Sequence, residues 1–125
     1  MKKFFAVTAL ALAFVASAFA SQKPTVTDFK MVPGGPFTRT GVAPYNFLFS
    51  PSTISRDGSI VAVMVEAIPT DGTSIRYAVY GFNCDTTQYT YETYDESTDT
   101  WSEMSDVKDI TPNTANSYLK PLICQ

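Results

Sequence analysis

The chain has 125 residues, with 9 lysines and arginines, 12 aspartates and glutamates, two cysteines and no histidine. The lack of histidine excludes Ser-His-Asp and Cys-His catalytic units, histidine-ligated zinc and an imidazole pH switch. Two cysteines are too few for a four-thiolate zinc site or an ordinary iron–sulfur cluster, and the length is that of one modest domain.

The first twenty residues have the pattern of a secretory signal peptide. A cationic start at Lys2 and Lys3 precedes an apolar stretch over residues 4–15, and Ala18-Phe19-Ala20 has the small-x-small pattern of a cleavage site. The apolar stretch is shorter than the ~20 residues of a membrane-spanning helix. We therefore expect cleavage and export to the periplasm or beyond, without a stable membrane span. No cysteine follows the cleavage site, so no lipoprotein is predicted.

Cleavage also changes the charge of the chain. Loss of Lys2 and Lys3 reduces the basic residues from 9 to 7, against 12 acidic ones, so the net charge becomes −5. A chain with this charge repels polyanions, and we expect no nucleic-acid partner.

The first part of the mature chain contains one long apolar strand. Residues 21–44 are rich in proline and glycine and are expected to be irregular apart from a candidate strand at Thr27–Val32. Tyr45–Phe49 is an aromatic, β-favouring run. Ser59–Ile68 follows a turn at Asp57-Gly58, and its nearly continuous apolar sequence predicts a central strand covered on both faces.

Further short strands and turns follow. Asp71-Gly72 marks a hairpin that leads into a strand over Ile75–Cys84. Thr86–Tyr94 forms the next strand, and Thr100–Met104 forms a short last one after a polar turn. This succession predicts an α+β fold built on a single antiparallel meander of about five to six strands, over residues 45–125, with a helix packed on it.

The C-terminal residues change to a helical period. Thr111 is expected to cap this helix, with Pro112 in its first turn. Pro121 is expected to break or kink it, so that Leu122–Cys124 leave the helix. One side of the helix would pack on the sheet. Its residues follow the spacing i, i+3, i+4 and i+7 and are Ala115, Tyr118, Leu119 and Leu122.

The two cysteines, Cys84 and Cys124, are predicted to form a disulfide, because an even number of cysteines in an exported chain is typical of one. The bond would close a loop of 40 residues and would stabilise the fold by about 4 kcal/mol in the chain-entropy model. It would hold the helix against the sheet. Two reduced thiols or an intermolecular bond remain open on sequence alone.

Six short segments follow one another in a recognisable order: Tyr45–Phe49, Ser52-Thr53-Ile54, Asp57-Gly58, Asp71-Gly72, Asn83-Cys84 and Ile110–Thr114. This order resembles the surface-adhesin protein E domain of Gram-negative bacteria over residues 45–124. The resemblance implies an antiparallel sheet with a C-terminal helix tied to it by the disulfide, and adhesion to host extracellular-matrix or serum proteins. The chain lacks the lipid-attachment cysteine of the best-known adhesin.

Aromatic residues on neighbouring predicted strands form the candidate partner-binding surface. Tyrosine and tryptophan give a large contact area at low entropic cost, which favours them in recognition surfaces. The alternative is cross-strand packing, which uses the same residue types. The residues are Tyr89, Tyr91, Tyr94 and Trp101.

An acidic segment and one isolated glutamate are candidates for other sites. The segment from Asp95 to Asp106 has the ligand spacing of a calcium loop, but Thr100 replaces the glycine that such a loop requires, so a solvated hairpin is favoured. Glu66 interrupts the apolar strand and would have a raised pKa if buried. We expect Glu66 to reach water or to pair with Arg76, since no partner acid for glycoside hydrolysis is marked.

The sequence thus predicts a non-catalytic protein-binding module of the bacterial cell envelope. No metal, cofactor or nucleic acid is expected. The alternatives are a periplasmic structural protein and, less favoured, a carboxylate-based hydrolase.

Overall fold

The computed structural model describes residues 24–125, so the predicted leader, residues 1–20, lies outside the described residues. Within this part of the chain there are nine strands, one 3-10 turn and one α-helix. They are β1 (Lys30–Met31), β2 (Phe37–Arg39), β3 (Val42–Phe49), the 3-10 turn (Pro51–Thr53), β4 (Ser55–Asp57), β5 (Ile60–Pro69), β6 (Arg76–Asn83), β7 (Gln88–Asp95), β8 (Thr100–Trp101), β9 (Lys108–Asp109) and α1 (Ala115–Ile123).

The strands form one antiparallel sheet. Its main path runs β1-β3-β5-β6-β7-β8, while β2 pairs with β3, β4 with β5 and β9 with β7. These three additional strands are only two or three residues long. The predicted fold, an antiparallel meander with a C-terminal helix and one disulfide, is confirmed. Within residues 24–125 no helix has the length and apolarity needed to cross a membrane.

Strand β5 is the centre of the core. Every residue from Ile60 to Val65 is buried, as the continuous apolar sequence predicts. Side chains alternate across a strand, so Val61, Val63 and Val65 lie on one side, and Ala62 and Met64 lie on the other. Both sides of the sheet must therefore be covered by other parts of the chain.

Helix α1 covers the first side, which we call the helix face. Its buried residues are Ala115, Leu119 and Ile123, and they pack in the same cluster as Val61, Val63 and Val65 of β5. The predicted disulfide between Cys84 and Cys124 is present, with the two Cα atoms 5.5 Å apart. The end of α1 is thereby attached to the end of β6.

The helix begins later and ends later than predicted. Thr114, not Thr111, precedes its first turn, and its backbone N–H donates to Ser117 Oγ at 3.0 Å. Asn113 adopts a left-handed conformation with φ 65°, which a helix beginning at residue 112 could not contain. Pro121 does not end the helix, because it removes only one backbone N–H while the burial of Ile123 and the disulfide hold the last turn.

The other side of the sheet, which we call the strap face, is covered by two extended segments. Val26 and Phe29 come from the N-terminal segment, while Met104 comes from the strap, residues 102–107. Asp28 anchors the N-terminal segment: its carboxylate accepts hydrogen bonds from the Ser50 hydroxyl and from the Ser52 backbone N–H, the latter at 2.8 Å. Residues before Tyr45 therefore contribute to the same packed unit.

The strap also explains why β8 is shorter than the predicted strand Thr100–Met104. Backbone N–H groups of Ser102 and Ser105 donate to the carbonyls of Thr93 and Tyr91, both at 2.8 Å. In return, the N–H groups of Thr93 and Tyr91 donate to the serine hydroxyls at 2.9 and 3.0 Å. Side-chain oxygens thus replace backbone carbonyls as acceptors, and the edge of β7 is closed without a regular ladder.

We expect the disulfide to make a large contribution to stability. Replacing both Cys84 and Cys124 by serine releases a loop of 40 residues in the unfolded chain and should lower the free energy of unfolding by about 4 kcal/mol. Urea unfolding of oxidised wild type and of the double variant measures the difference, with reduced wild type as the control. A loss below about 1 kcal/mol would contradict this role.

A second prediction concerns Asp28. Its hydrogen bonds from Ser50 and Ser52 lower the pKa of its carboxyl below the usual 3.8. The stabilisation is therefore present above the unfolded pKa and is lost as the pH falls through the lower folded pKa. Asp28→Asn should be less stable than wild type at pH 7, and the difference should shrink towards pH 2.

Urea unfolding across that pH range tests this, with Asp57→Asn as the matched control at an exposed carboxylate of β4. An equal Asp28→Asn difference at both ends of the range would show that the carboxylate charge is not involved.

Candidate functional site

Four aromatic rings of β6 and β7 stack on the helix face. The register places Tyr80 opposite Tyr91 and Phe82 opposite Tyr89. Ring centroids are 5.6 Å apart for Tyr80–Tyr91 and 5.9 Å for Tyr80–Phe82, and the planes are nearly parallel, at 29° and 14°. Opposite positions of adjacent strands share a face, so the alternating aromatic sequences of β6 and β7 produce this stack.

Aromatic contacts continue across the sheet from this stack to β3, β2 and α1. Phe47 meets Tyr80 edge-on at 6.0 Å, and Tyr45 meets Phe47 at 6.3 Å. Phe37 of β2 contacts Tyr45 at 6.1 Å and Tyr118 of α1 at 5.6 Å. We call the whole set the helix-face cluster; its members are Phe37, Tyr45, Phe47, Tyr80, Phe82, Tyr89, Tyr91 and Tyr118.

Two polar groups lie at the rim of the helix-face cluster. Burial raises the pKa values of Tyr45, Tyr80 and Tyr89, and in each case the Arg39 guanidinium opposes that rise. Arg39 is exposed, at the end of β2. The Asn116 side chain is hydrogen-bonded to the Tyr89 hydroxyl. The three phenols remain protonated at neutral pH, so their O–H groups are available as donors beside a guanidinium.

The predicted partner-binding residues divide between the two faces of the sheet. Tyr89 and Tyr91 belong to the helix-face cluster. Tyr94 and Trp101 lie on the strap face, opposite each other in the register and with ring centroids 5.5 Å apart. All four are partly exposed, but the sheet separates one pair from the other, so they do not form one surface.

Of the helix-face site, only Tyr89 and Tyr91 were predicted from the sequence. Tyr45 and Tyr80 carried a signal, because each alternates with a phenylalanine two positions on, and this spacing places both rings on one face. Arg39 carried none. Its effect on Tyr80 depends on how β2 folds against β3, and no local pattern in a proline- and glycine-rich segment indicates that.

The strap face has the opposite electrostatic character. The Tyr94 hydroxyl donates a hydrogen bond to the Asp99 carboxylate, which raises the pKa of Tyr94 to about 12. Asp95 and Glu96 act in the same direction. Tyr77 is also affected: burial raises its pKa first, and the neighbouring Glu66 carboxylate raises it further.

Glu66 does not pair with Arg76. The register places Arg76 opposite Ala67 and Tyr77 opposite Glu66, and the Tyr77 hydroxyl is the hydrogen-bond partner of Glu66. Burial raises the pKa of Glu66. Glu92 lies on the same face, on β7, with β6 between the two glutamates. The structure therefore gives Glu66 a phenol as its neighbour and places Glu92 on the second strand away.

Glu92 is a half-buried carboxylate whose Oε2 atom is buried and has no hydrogen-bond partner. Burial raises the pKa of its carboxyl above the usual 4.5. The charged form is therefore unfavourable in the folded chain.

The acidic segment after β7 forms a turn. Asp95 accepts hydrogen bonds from the Ser97 N–H at 2.9 Å and from the Ser97 hydroxyl at 2.6 Å, while Asp99 is held by Tyr94. These carboxylates thus accept hydrogen bonds from neighbouring groups of the β7–β8 hairpin. Over residues 24–125, no three cysteine, aspartate or glutamate side chains are grouped so as to hold a metal ion.

Comparisons of the chain with family models, with curated proteins and with solved structures find no match. Its function must therefore be inferred from its own residues and geometry.

We expect Glu92→Gln to stabilise the fold at neutral pH, because the substitution removes a charge that burial disfavours. The folded pKa is raised, so the penalty in wild type is present above that pKa and disappears as the pH falls towards the unfolded value. The variant should therefore have a higher melting temperature than wild type at pH 7 but not at pH 4.

Melting temperatures across this range measure the effect, with Glu103→Gln, at an exposed glutamate, as the control. A difference that does not vary with pH would rule out the charge of Glu92 as its source.

Proposed function

We propose that the chain is an exported protein-binding module of the bacterial cell envelope and that it binds its partner through the helix-face cluster. The observation that carries the proposal is the grouping of Tyr45, Tyr80, Tyr89 and Tyr91 on one face with Arg39 at the rim. Tyrosine and arginine are the residue types most enriched, with tryptophan, among those that dominate the energy of protein interfaces.

The helix face suits this role better than the strap face. Tyr45, Tyr89 and Tyr91 stay partly exposed, although α1 packs on the same side of the sheet. On the strap face, the N-terminal segment and the strap already occupy the corresponding apolar surface. An external partner therefore has accessible aromatic side chains on the helix face without displacing part of the chain.

The predicted signal peptide and the resemblance to the surface-adhesin protein E domain support the cellular setting. Export would bring the module to the envelope, and the resemblance favours host extracellular-matrix or serum proteins as partners. The chain has no cysteine for lipid attachment after the predicted cleavage site. We therefore propose a periplasmic or secreted protein that associates with its partner non-covalently and without catalysis.

Binding to a panel of immobilised extracellular-matrix and serum proteins tests the proposal, with the processed chain purified after export and surface plasmon resonance as the measurement. Tyr91→Ala and Tyr89→Ala should each weaken the affinity by roughly 30-fold, the effect of losing about 2 kcal/mol at an important interface residue. Tyr94→Ala, on the strap face, is the matched control and should bind as wild type does.

Tyr91→Phe retains the stacked ring and therefore the packing of the helix face. Circular dichroism melts of all variants show whether a loss of affinity comes from unfolding. A panel in which no protein binds would overturn the proposed function. Weakening by Tyr94→Ala and not by Tyr89→Ala or Tyr91→Ala would move the binding surface to the strap face.

A further inference from the structure

The helix face carries a local positive charge on a chain that is acidic overall. The formal net charge is −3, yet the charged side chain that acts on the hydroxyls of Tyr45, Tyr80 and Tyr89 is the Arg39 guanidinium. On the strap face the corresponding charges, around Tyr77 and Tyr94, are carboxylates. The charged neighbour of the helix-face tyrosines is therefore a cation, whereas those of Tyr77 and Tyr94 are carboxylates.

The arrangement of the rings, like this cation, favours an anionic partner. Tyr80 is stacked on Phe82, Tyr89 and Tyr91, with interplanar angles of 14° to 29°. Stacked rings cover each other's faces, so they present mainly their edges and hydroxyl groups. Ring edges carry the positive part of the aromatic quadrupole, and phenol O–H groups donate hydrogen bonds. Both features suit an anionic oxygen atom.

The tyrosines and Arg39 lie on neighbouring strands of this face. The Tyr80 ring centroid is 5.9 Å from that of Tyr89 and 5.6 Å from that of Tyr91. Arg39 follows Phe37, a member of the helix-face cluster, by two residues in β2. Phenol donors and one guanidinium therefore lie on the same face, where a planar carboxylate can accept paired hydrogen bonds from the guanidinium.

A single exposed cation contributes little affinity for a free anion. The aromatic surface around Arg39 must supply the remaining affinity. It can do so only if the ligand carries an apolar group next to the anion. A peptide segment in which a carboxylate side chain neighbours an apolar residue meets both requirements.

We propose that the helix-face cluster recognises an acidic peptide segment of its partner, whose carboxylate pairs with Arg39 while an adjacent apolar side chain packs against Tyr45, Tyr89 and Tyr91. This inference rests on the proposed function, since it names the chemistry of the partner at the same surface. It implies selectivity for carboxylate over amide side chains.

The test is an NMR titration of the processed chain with two small probes, acetyl-glutamyl-phenylalanine amide and acetyl-glutaminyl-phenylalanine amide. The glutamyl probe should bind saturably and shift the resonances of Arg39, Tyr45, Tyr89 and Tyr91. The glutaminyl probe should bind roughly fivefold more weakly, the scale of an exposed ion pair. Arg39→Gln should abolish the difference between the probes.

Arg76→Gln is the matched control, because Arg76 is also an exposed arginine, at the start of β6, but is not among the groups that act on the hydroxyls of Tyr45, Tyr80 and Tyr89. It should retain the wild-type preference. Equal affinity for the two probes, no binding of either probe, or shifts confined to the strap face would overturn the inference. So would inorganic phosphate if it produced the same shifts at the same concentration, because the site would then bind simple anions.

The two proposals fail separately. If a matrix or serum protein binds through Tyr91 but the probes show no preference for glutamate, the partner chemistry is wrong and the protein-binding function stands. If no protein binds while the glutamyl probe is preferred, the surface recognises acidic peptides and the matrix-binding function is wrong.

Discussion

The structure depends on the burial of both sides of β5. Residues Ile60–Val65 have no exposed side, so the chain must provide a cover for each face of the sheet. One cover is α1, which the Cys84–Cys124 disulfide attaches to β6. The other is made of extended segments, one of them anchored by Asp28. A domain of this size has a small core, so each cover contributes substantially to stability.

The difference between the two covers accounts for the different properties of the two faces. A nine-residue helix buries three side chains in the core and leaves the tyrosines beside it partly exposed. The strap and the N-terminal segment lie extended over the other face, where carboxylates rather than Arg39 set the local charge. The helix face is therefore the side on which binding need not compete with folding.

Much of the fold could be predicted because its signals are local. The apolar sequence of β5 indicates burial on both sides, and two cysteines in a chain with a predicted leader indicate a disulfide. The predicted start of α1 was wrong, because the true start depends on the left-handed backbone of Asn113. The predicted end was wrong because tertiary packing outweighs the effect of Pro121. The site was predicted in part: Tyr89 and Tyr91 lie in it, whereas the position of Arg39 depends on contacts between distant strands.

The central claim is that the helix face binds and the strap face does not. Hydroxyl-radical footprinting of the processed chain, with and without a bound matrix protein, tests it residue by residue, because tyrosine, tryptophan and methionine all react. We expect the partner to reduce the oxidation of Tyr89, Tyr91 and Tyr118 and to leave Trp101 and Met104 unchanged. Reduced oxidation of Trp101 and Met104, with Tyr89, Tyr91 and Tyr118 unaffected, would contradict the account.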